Sequence, residues 1–324
     1  MELLKVYTDI KAAPEWLDWL RQEIHPHQLL VPSQPGESVL AEAPEDPLLR
    51  EADILLGQPG AASVLGAPKV RWAQISSAGF TRYDTAGFRA AAAEKGLIVS
   101  NSSHVYDQTC AEHAFAFMLA QARQLPLALA SRCPNGTPEW LDLRSRGQSL
   151  QGQTVLIAGY GAIAERLVRF LAPFEMDVQA LRRKPRGDEL VPLVPPESLL
   201  SFLETADHVV NLLPDNPQSR GFFGAPEFAA MKPGSAFYNI GRGTTVDQEA
   251  LADALQNGPL AAAWLDVTEP EPLEDEHPLR QLANCHITPH TAGGHAGETQ
   301  HLLRHFVSNF RRFLDGKPLV NRVI

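Results

Sequence analysis

The chain has 324 residues, 44% of them hydrophobic and 20% charged, and 28 basic residues against 38 acidic ones leave a net charge of −10. That is enough apolar mass for two domains and excludes a wholly disordered chain. The acidic balance argues against nucleic-acid or anionic-membrane partners, and three scattered cysteines argue against a disulfide scaffold or a cysteine zinc site.

In chain order, short apolar runs at 3–7, 52–56, 70–75 and 97–100 have strand length and β-branched content. Amphipathic stretches at 16–24 and 88–95 lie between them, and the proline-rich segment 31–47 reads as a surface loop. No basic-then-apolar leader opens the chain. The apolar helix candidate at 113–122 is too short for a bilayer, so a cytoplasmic location is expected. From Leu150 the alternation restarts, with buried-strand runs at 154–158, 178–181, 208–213, 236–240, 261–267 and 285–288. Helical stretches at 162–171, 196–205 and 248–257 separate them, and an amphipathic helix closes the chain at 298–314. This pattern predicts an α/β protein of two doubly wound parallel-sheet domains, the second with the strand count of a dinucleotide-binding sheet.

Gly159-Tyr160-Gly161-Ala162-Ile163-Ala164 follows a strand and opens a helix, matching G-x-G-x-x-G/A in its required context. Gly159 allows the tight turn, Gly161 lets backbone approach a pyrophosphate, and the amides at the helix start, Ala162 and Ile163 among them, face the phosphates. The alternative is a tight packing turn. Roughly 20 residues further on, an acid would bind the ribose 2′-hydroxyl. Arg182, Arg183 and Lys184 stand there instead. Guanidinium groups pair with phosphate, and at about 1.5–3 kcal/mol per charge-assisted bond NADPH should be preferred over NADH by roughly ten- to a hundredfold. A solvated basic loop is the competing account, and NADH use stays possible.

Three strand ends carry acid–base chemistry: Asn239-Ile240-Gly241-Arg242-Gly243, Asp266-Val267-Thr268-Glu269-Pro270-Glu271-Pro272, and Thr288-Pro289-His290. Arginine, glutamate and histidine in one crevice suit the reduction of a 2-keto acid. The arginine binds the carboxylate and polarises the keto oxygen. The imidazolium donates a proton, and the glutamate holds the ring and stabilises its cation. His301 and His305 have metal-ligand spacing on the last helix, but the general-base glutamate of H-E-x-x-H is missing. No metal is expected.

These segments resemble the D-isomer-specific 2-hydroxyacid dehydrogenase family from Gln74 onward. The resemblance implies that Arg242 binds substrate, Glu271 is the paired carboxylate and His290 the proton donor. It implies that Ser77, Ala78 and Gly79 hold the substrate carboxylate, and that Leu213, Pro214, Ser219, Ile240, Gly241 and Asp266 line the cofactor. It further implies a Rossmann cofactor domain at 102–291, a split flavodoxin-like substrate domain at 1–101 and 292–324, and a homodimer to which 112–124 contributes. Glyoxylate and hydroxypyruvate, reduced to D-2-hydroxy acids, are the substrates its NADPH-preferring members suggest. Thr268 stands where the family usually has an aromatic residue. Corepressors of the same fold, which sense the dinucleotide, are the alternative outside enzymology.

Overall fold

The computed structural model describes residues 2–38 and 41–324. The chain forms two compact units, Met1–Tyr106 with Gly294–Ile324, and Asp107–Gly293.

The first unit is built on five parallel strands, β1 (Lys5–Thr8), β2 (Gln28–Leu30), β3 (Ile54–Gly57), β4 (Trp72–Ile75) and β5 (Ile98–Ser100), in the order β2-β1-β3-β4-β5. That order is the flavodoxin-like one, with its topological switch between β1 and β3. β3 and β4 are buried along their whole length because helices cover both faces. On one face Leu55, Ala73 and Val99 pack with Phe88 and Ala92 of the helix Ala86–Lys95. That helix starts where the Thr85 side chain accepts from the Phe88 amide and ends at Gly96 in the left-handed conformation. On β4, Trp72 stacks against Phe306 and Phe313 of the closing helix Glu298–Leu314, with ring centroids 5.2 and 5.5 Å apart. Such aromatic pairs contribute about 0.5–1.5 kcal/mol each beyond area burial. The fully buried Asn309 of the same helix donates to the Gln74 side chain and to the Val320 carbonyl. The last helix thereby returns to complete the unit in which the chain began.

One difference from the expected elements stands out here: β2 is an additional three-residue strand. Among the described residues of 31–46 there is no helix or strand, in keeping with the expected loop, of which residues 39 and 40 lie outside the described residues.

The second unit has six parallel strands, β6 (Thr154–Ala158), β7 (Asp177–Leu181), β8 (His208–Asn211), β9 (Ala236–Asn239), β10 (Ala262–Leu265) and β11 (Cys285–Ile287). Their order is β11-β10-β9-β8-β6-β7, a doubly wound sheet whose switch point lies between β6 and β8. Leu156, Val209, Phe237 and Ala263 form one buried face with Phe223, Phe228 and Leu251. The helix Ala162–Leu171 buries Leu167 and Leu171 completely, and each such leucine stabilises by about 1.5–3 kcal/mol. The helix Ser103–Ala122 is twice the expected length, and the helices Leu125–Ala130 and Pro138–Arg146 bury no residue at all. Among the described residues no helix is long and apolar enough to cross a membrane.

Candidate active site

In an open α/β sheet ligands gather beyond the carboxyl ends of the strands at the switch point, which in the second unit is the turn after β6. Gly159 has φ +98°, and a Cβ there would lie 2.9 Å from the Leu212 carbonyl group after β8. Only glycine permits both the conformation and the approach. Gly161 differs, since a Cβ there would meet nothing within 4 Å. The space in front of it is a cradle that a side chain would fill. The helix Ala162–Leu171 begins at Gly161 with no side-chain cap, so its first amides, Ala162 and Ile163 included, are left for an outside acceptor. Ala164 is fully buried, which lets the helix sit close to the sheet. These residues fit a dinucleotide pyrophosphate.

Past β7 the three cations have different surroundings. Arg182 pairs with Glu189 at 3.0 Å and lies 5.8 Å from the Tyr160 ring centroid. Arg183 donates to the Gln218 side chain, and Lys184 is exposed. After β8, the Asn211 side chain donates to Asn239 and Thr245 and accepts from the Leu213 amide. Ser219 is buried and donates to the Pro214 carbonyl, so its hydroxyl closes the 213–219 loop.

Asn239 organises the arginine turn after β9. Its side chain accepts from the Gly241 amide at 3.1 Å and donates to the Arg242 carbonyl at 3.2 Å. The flanking glycines are there because neighbouring backbone is close. A Cβ on Gly241 would lie 2.7 Å from the Leu213 oxygen, and one on Gly243 would lie 2.0 Å from the Thr268 backbone. Ile240 is buried beside this turn, its amide donating to the Asn211 carbonyl. The Arg242 guanidinium donates to the Gly241 carbonyl.

Asp266, after β10, is 2% exposed and accepts three donors from the segment after β11: the Thr288 hydroxyl at 2.6 Å, the Thr291 amide at 2.9 Å and the Ala292 amide at 3.0 Å. Its own carbonyl accepts from the His290 amide at 2.9 Å. Asp266 is expected at the cofactor; in the fold its carboxylate fixes the histidine loop. That loop holds His290 at φ +50°, an uncommon conformation for a residue with a side chain.

His290 Nδ1 lies 2.7 Å from Glu271 Oε2, and Glu271 Oε1 accepts from the Thr268 amide at 3.2 Å. The carboxylate can only accept, so Nδ1 carries a hydrogen and Nε2 is the ring's outward atom. Nε2 makes no hydrogen bond among the described residues. Burial raises the Glu271 carboxyl, but the His290 hydrogen bond and charge, the Thr268 amide and the Arg242 charge outweigh it and hold the group below the usual carboxylate range. Glu271 is thus in direct contact with His290 and within electrostatic reach of Arg242.

His113, on the helix Ser103–Ala122, reaches the Thr288 hydroxyl at 3.2 Å, and burial lowers its pKa against the pull of Asp266. Burial pushes the nearby Cys110 thiol up to about 12, which leaves it inert at neutral pH. Asn239 and Thr288 stand in the strand-end motifs without an expected role, and nothing in the residue pattern marks His113 or Glu189. Thr288, His113 and Glu189 act through contacts with residues outside their own motifs.

In the first unit, the Ser77 hydroxyl accepts from the Gln58 side chain and donates to the Gly79 carbonyl, each at 2.6 Å. Asn101 donates to the Ala78 carbonyl. The amides of Ser77, Ala78 and Gly79 make no hydrogen bond among the described residues.

A family model described as D-isomer specific 2-hydroxyacid dehydrogenase, NAD binding domain, matches residues 115–292, more than half of the chain. A human protein named glyoxylate reductase/hydroxypyruvate reductase is 34% identical over 238 residues, covering 70% of each chain. A D-3-phosphoglycerate dehydrogenase of Mycobacterium bovis is 32% identical over 311 residues, 93% of this chain but 54% of that one. The crystal structure of a D-isomer specific 2-hydroxyacid dehydrogenase family protein from Aeromonas salmonicida superposes with a TM-score of 0.79 at 27% identity, covering 100% of this chain and 99% of the other.

Proposed function

Since the chain belongs to the D-isomer-specific 2-hydroxyacid dehydrogenase family, and is thereby an NAD(P)-dependent oxidoreductase, we propose that it reduces small 2-keto acids of the glyoxylate and hydroxypyruvate type to D-2-hydroxy acids, with NADPH preferred and NADH accepted. The observation that carries this reading is the 2.7 Å contact of His290 Nδ1 with Glu271, which leaves Nε2 as the ring's outward atom, with the Arg242 charge acting on the same carboxylate.

A bound nicotinamide supplies the hydride. Gly159, Gly161, Ala162 and Ile163 would hold its pyrophosphate, Arg182 with Arg183 and Lys184 the 2′-phosphate, and Leu213, Pro214, Ser219, Ile240, Gly241 and Asp266 the remainder. Arg242 binds the substrate carboxylate and polarises the keto oxygen. Within the first unit, the amides of Ser77, Ala78 and Gly79, which make no hydrogen bond among the described residues, are suited to bind a carboxylate. His290 gives the proton on Nε2 to the oxygen as negative charge develops there. Glu271 keeps the ring oriented and stabilises the imidazolium before transfer. The carboxylate of Asp266 keeps the histidine loop in place throughout.

A homodimer belongs to the same proposal, built through the second unit. Leu125, Leu127 and Leu129 are 41, 46 and 83% exposed, an unusual apolar display for a helix of a monomer. A cytoplasmic site of action completes the reading.

The test follows NADPH or NADH consumption with glyoxylate, hydroxypyruvate, pyruvate and a phenyl-substituted keto acid. Turnover of the two small acids, faster with NADPH, is expected, and Arg182→Asp should move the preference towards NADH. Cofactor binding without turnover of any acid would overturn the reductase reading.

A further inference from the structure

No acid stands at the end of β7, where a ribose 2′-hydroxyl would be met, but the fold brings one there from seven residues along. Glu189 Oε1 lies 3.0 Å from Arg182 Nη1 and accepts from the Arg186 amide at 2.8 Å, while Oε2 accepts from the Gly187 amide at 2.9 Å. The Glu189 side chain is 6% exposed and that of Arg182 15%. Gly187, at φ +83°, lets two successive amides converge on one carboxylate. Two amides and a guanidinium aimed at one point form an anion seat, and the chain's own carboxylate fills it. The amides, that of Arg186 first, together with Arg182 hold the carboxyl below its usual range, so it is ionised at neutral pH. The seat is tied to the glycine turn as well. The Tyr160 hydroxyl, between Gly159 and Gly161, accepts from the Leu190 amide at 2.9 Å, and its ring lies beside Arg182.

We propose that Glu189 sets the cofactor preference as a built-in competitor, occupying with its carboxylate the Arg182 seat that a 2′-phosphate would take. This rests on the reading that the glycine turn holds a dinucleotide whose 2′-phosphate meets Arg182. A dinucleotide bearing the phosphate must displace Glu189, whereas one bearing a hydroxyl leaves the carboxylate in place as an acceptor. The NADPH preference of the natural chain is therefore smaller than an unpaired Arg182 would give.

Calorimetric titration of the full chain with 2′,5′-ADP and with 5′-AMP separates these terms. Glu189→Gln keeps the side-chain volume and one amide-accepting oxygen but removes the charge. It should tighten 2′,5′-ADP about tenfold, the worth of one charge-assisted hydrogen bond, and leave 5′-AMP within about twofold. Glu189→Ala should act in the same direction. Arg182→Ala placed on either variant should erase the gain. An unchanged or weakened 2′,5′-ADP affinity, or equal shifts for both nucleotides, would overturn the proposal and leave Glu189 as a loop fastener. A natural chain that binds neither nucleotide, nor NADH nor NADPH, would instead overturn the dinucleotide reading beneath it.

Discussion

The two sheets share a doubly wound plan, and each offers a crevice where its strand order reverses, yet the chain treats the two crevices in opposite ways. In the second unit the turn after β6 has no side chain at Gly159 or Gly161, and nothing stands within 4 Å of where a Gly161 Cβ would be. In the first unit the equivalent turn after β1 carries Asp9, which is 3% exposed and accepts from the Gln58 amide at 3.0 Å. Gly57, at the end of β3, makes room for it: a Cβ there would lie 1.7 Å from an Asp9 oxygen. Glycine in one unit leaves open space, and in the other makes room for the chain's own carboxylate. Topology supplies a crevice; the residues of its first turn decide whether that crevice stays open.

Four substitutions sharpen or break this contrast. The largest effect belongs to the open side. His290→Ala should lower turnover by about 10²–10⁴-fold with NADPH affinity preserved, as expected for loss of a general acid; an equal loss of cofactor binding would make His290 structural. Gly161→Val should weaken NADPH about a hundredfold, the worth of one or two charge-assisted hydrogen bonds, with the melting temperature unchanged. On the closed side the pattern reverses. Gly57→Ala should destabilise by about 1–3 kcal/mol in denaturant melts through overpacking, while NADPH affinity of the folded protein holds.

Asp9→Asn gives the smallest effect, and one that depends on pH. Burial raises the Asp9 carboxyl to about 6 from an ordinary 3.8, against the Gln58 amide and Arg82. The folded state therefore takes up a proton that the unfolded chain has already released, and this residue's contribution falls as pH rises between those two values. Asp9→Asn removes that loss. It should stabilise by about 1–2 kcal/mol at pH 7.5 and not at all near pH 3.5. A gain independent of pH would mean that the carboxylate is not buried in the crevice as described.

Most of the fold was legible because a doubly wound sheet writes itself as buried strands of four or five residues between amphipathic helices. β6 matched its expected bounds because all of its residues after Thr154 are buried. β2 did not announce itself, since three edge residues with one exposed carry no readable period. The helices Leu125–Ala130 and Pro138–Arg146 were equally silent, because helices that bury nothing have no apolar face to repeat. In the site, Arg242, Glu271 and His290 were visible as strand-end residues in short motifs. The Glu189 partnership of Arg182 was not, because it is made by backbone amides in a loop whose course no residue pattern dictates. The triple use of Asp266 is hidden for the same reason, its partners lying 22 to 26 residues along the chain.

The contacts of Gly159 with Leu212, Gly241 with Leu213 and Gly243 with Thr268 form a seam of bare backbone across the carboxyl edge from β6 to β10. Along such a seam the quantity under constraint is loop length. An inserted residue in any of these turns would drive main chain into main chain, with no side chain to repack. The 182–190 segment lies outside it, and a Cβ on its Gly187 would meet nothing within 4 Å. A loop of new length at that segment would break the side-chain ties of Glu189 and Tyr160 rather than drive main chain into main chain, whereas the turns of the seam can be altered only residue for residue.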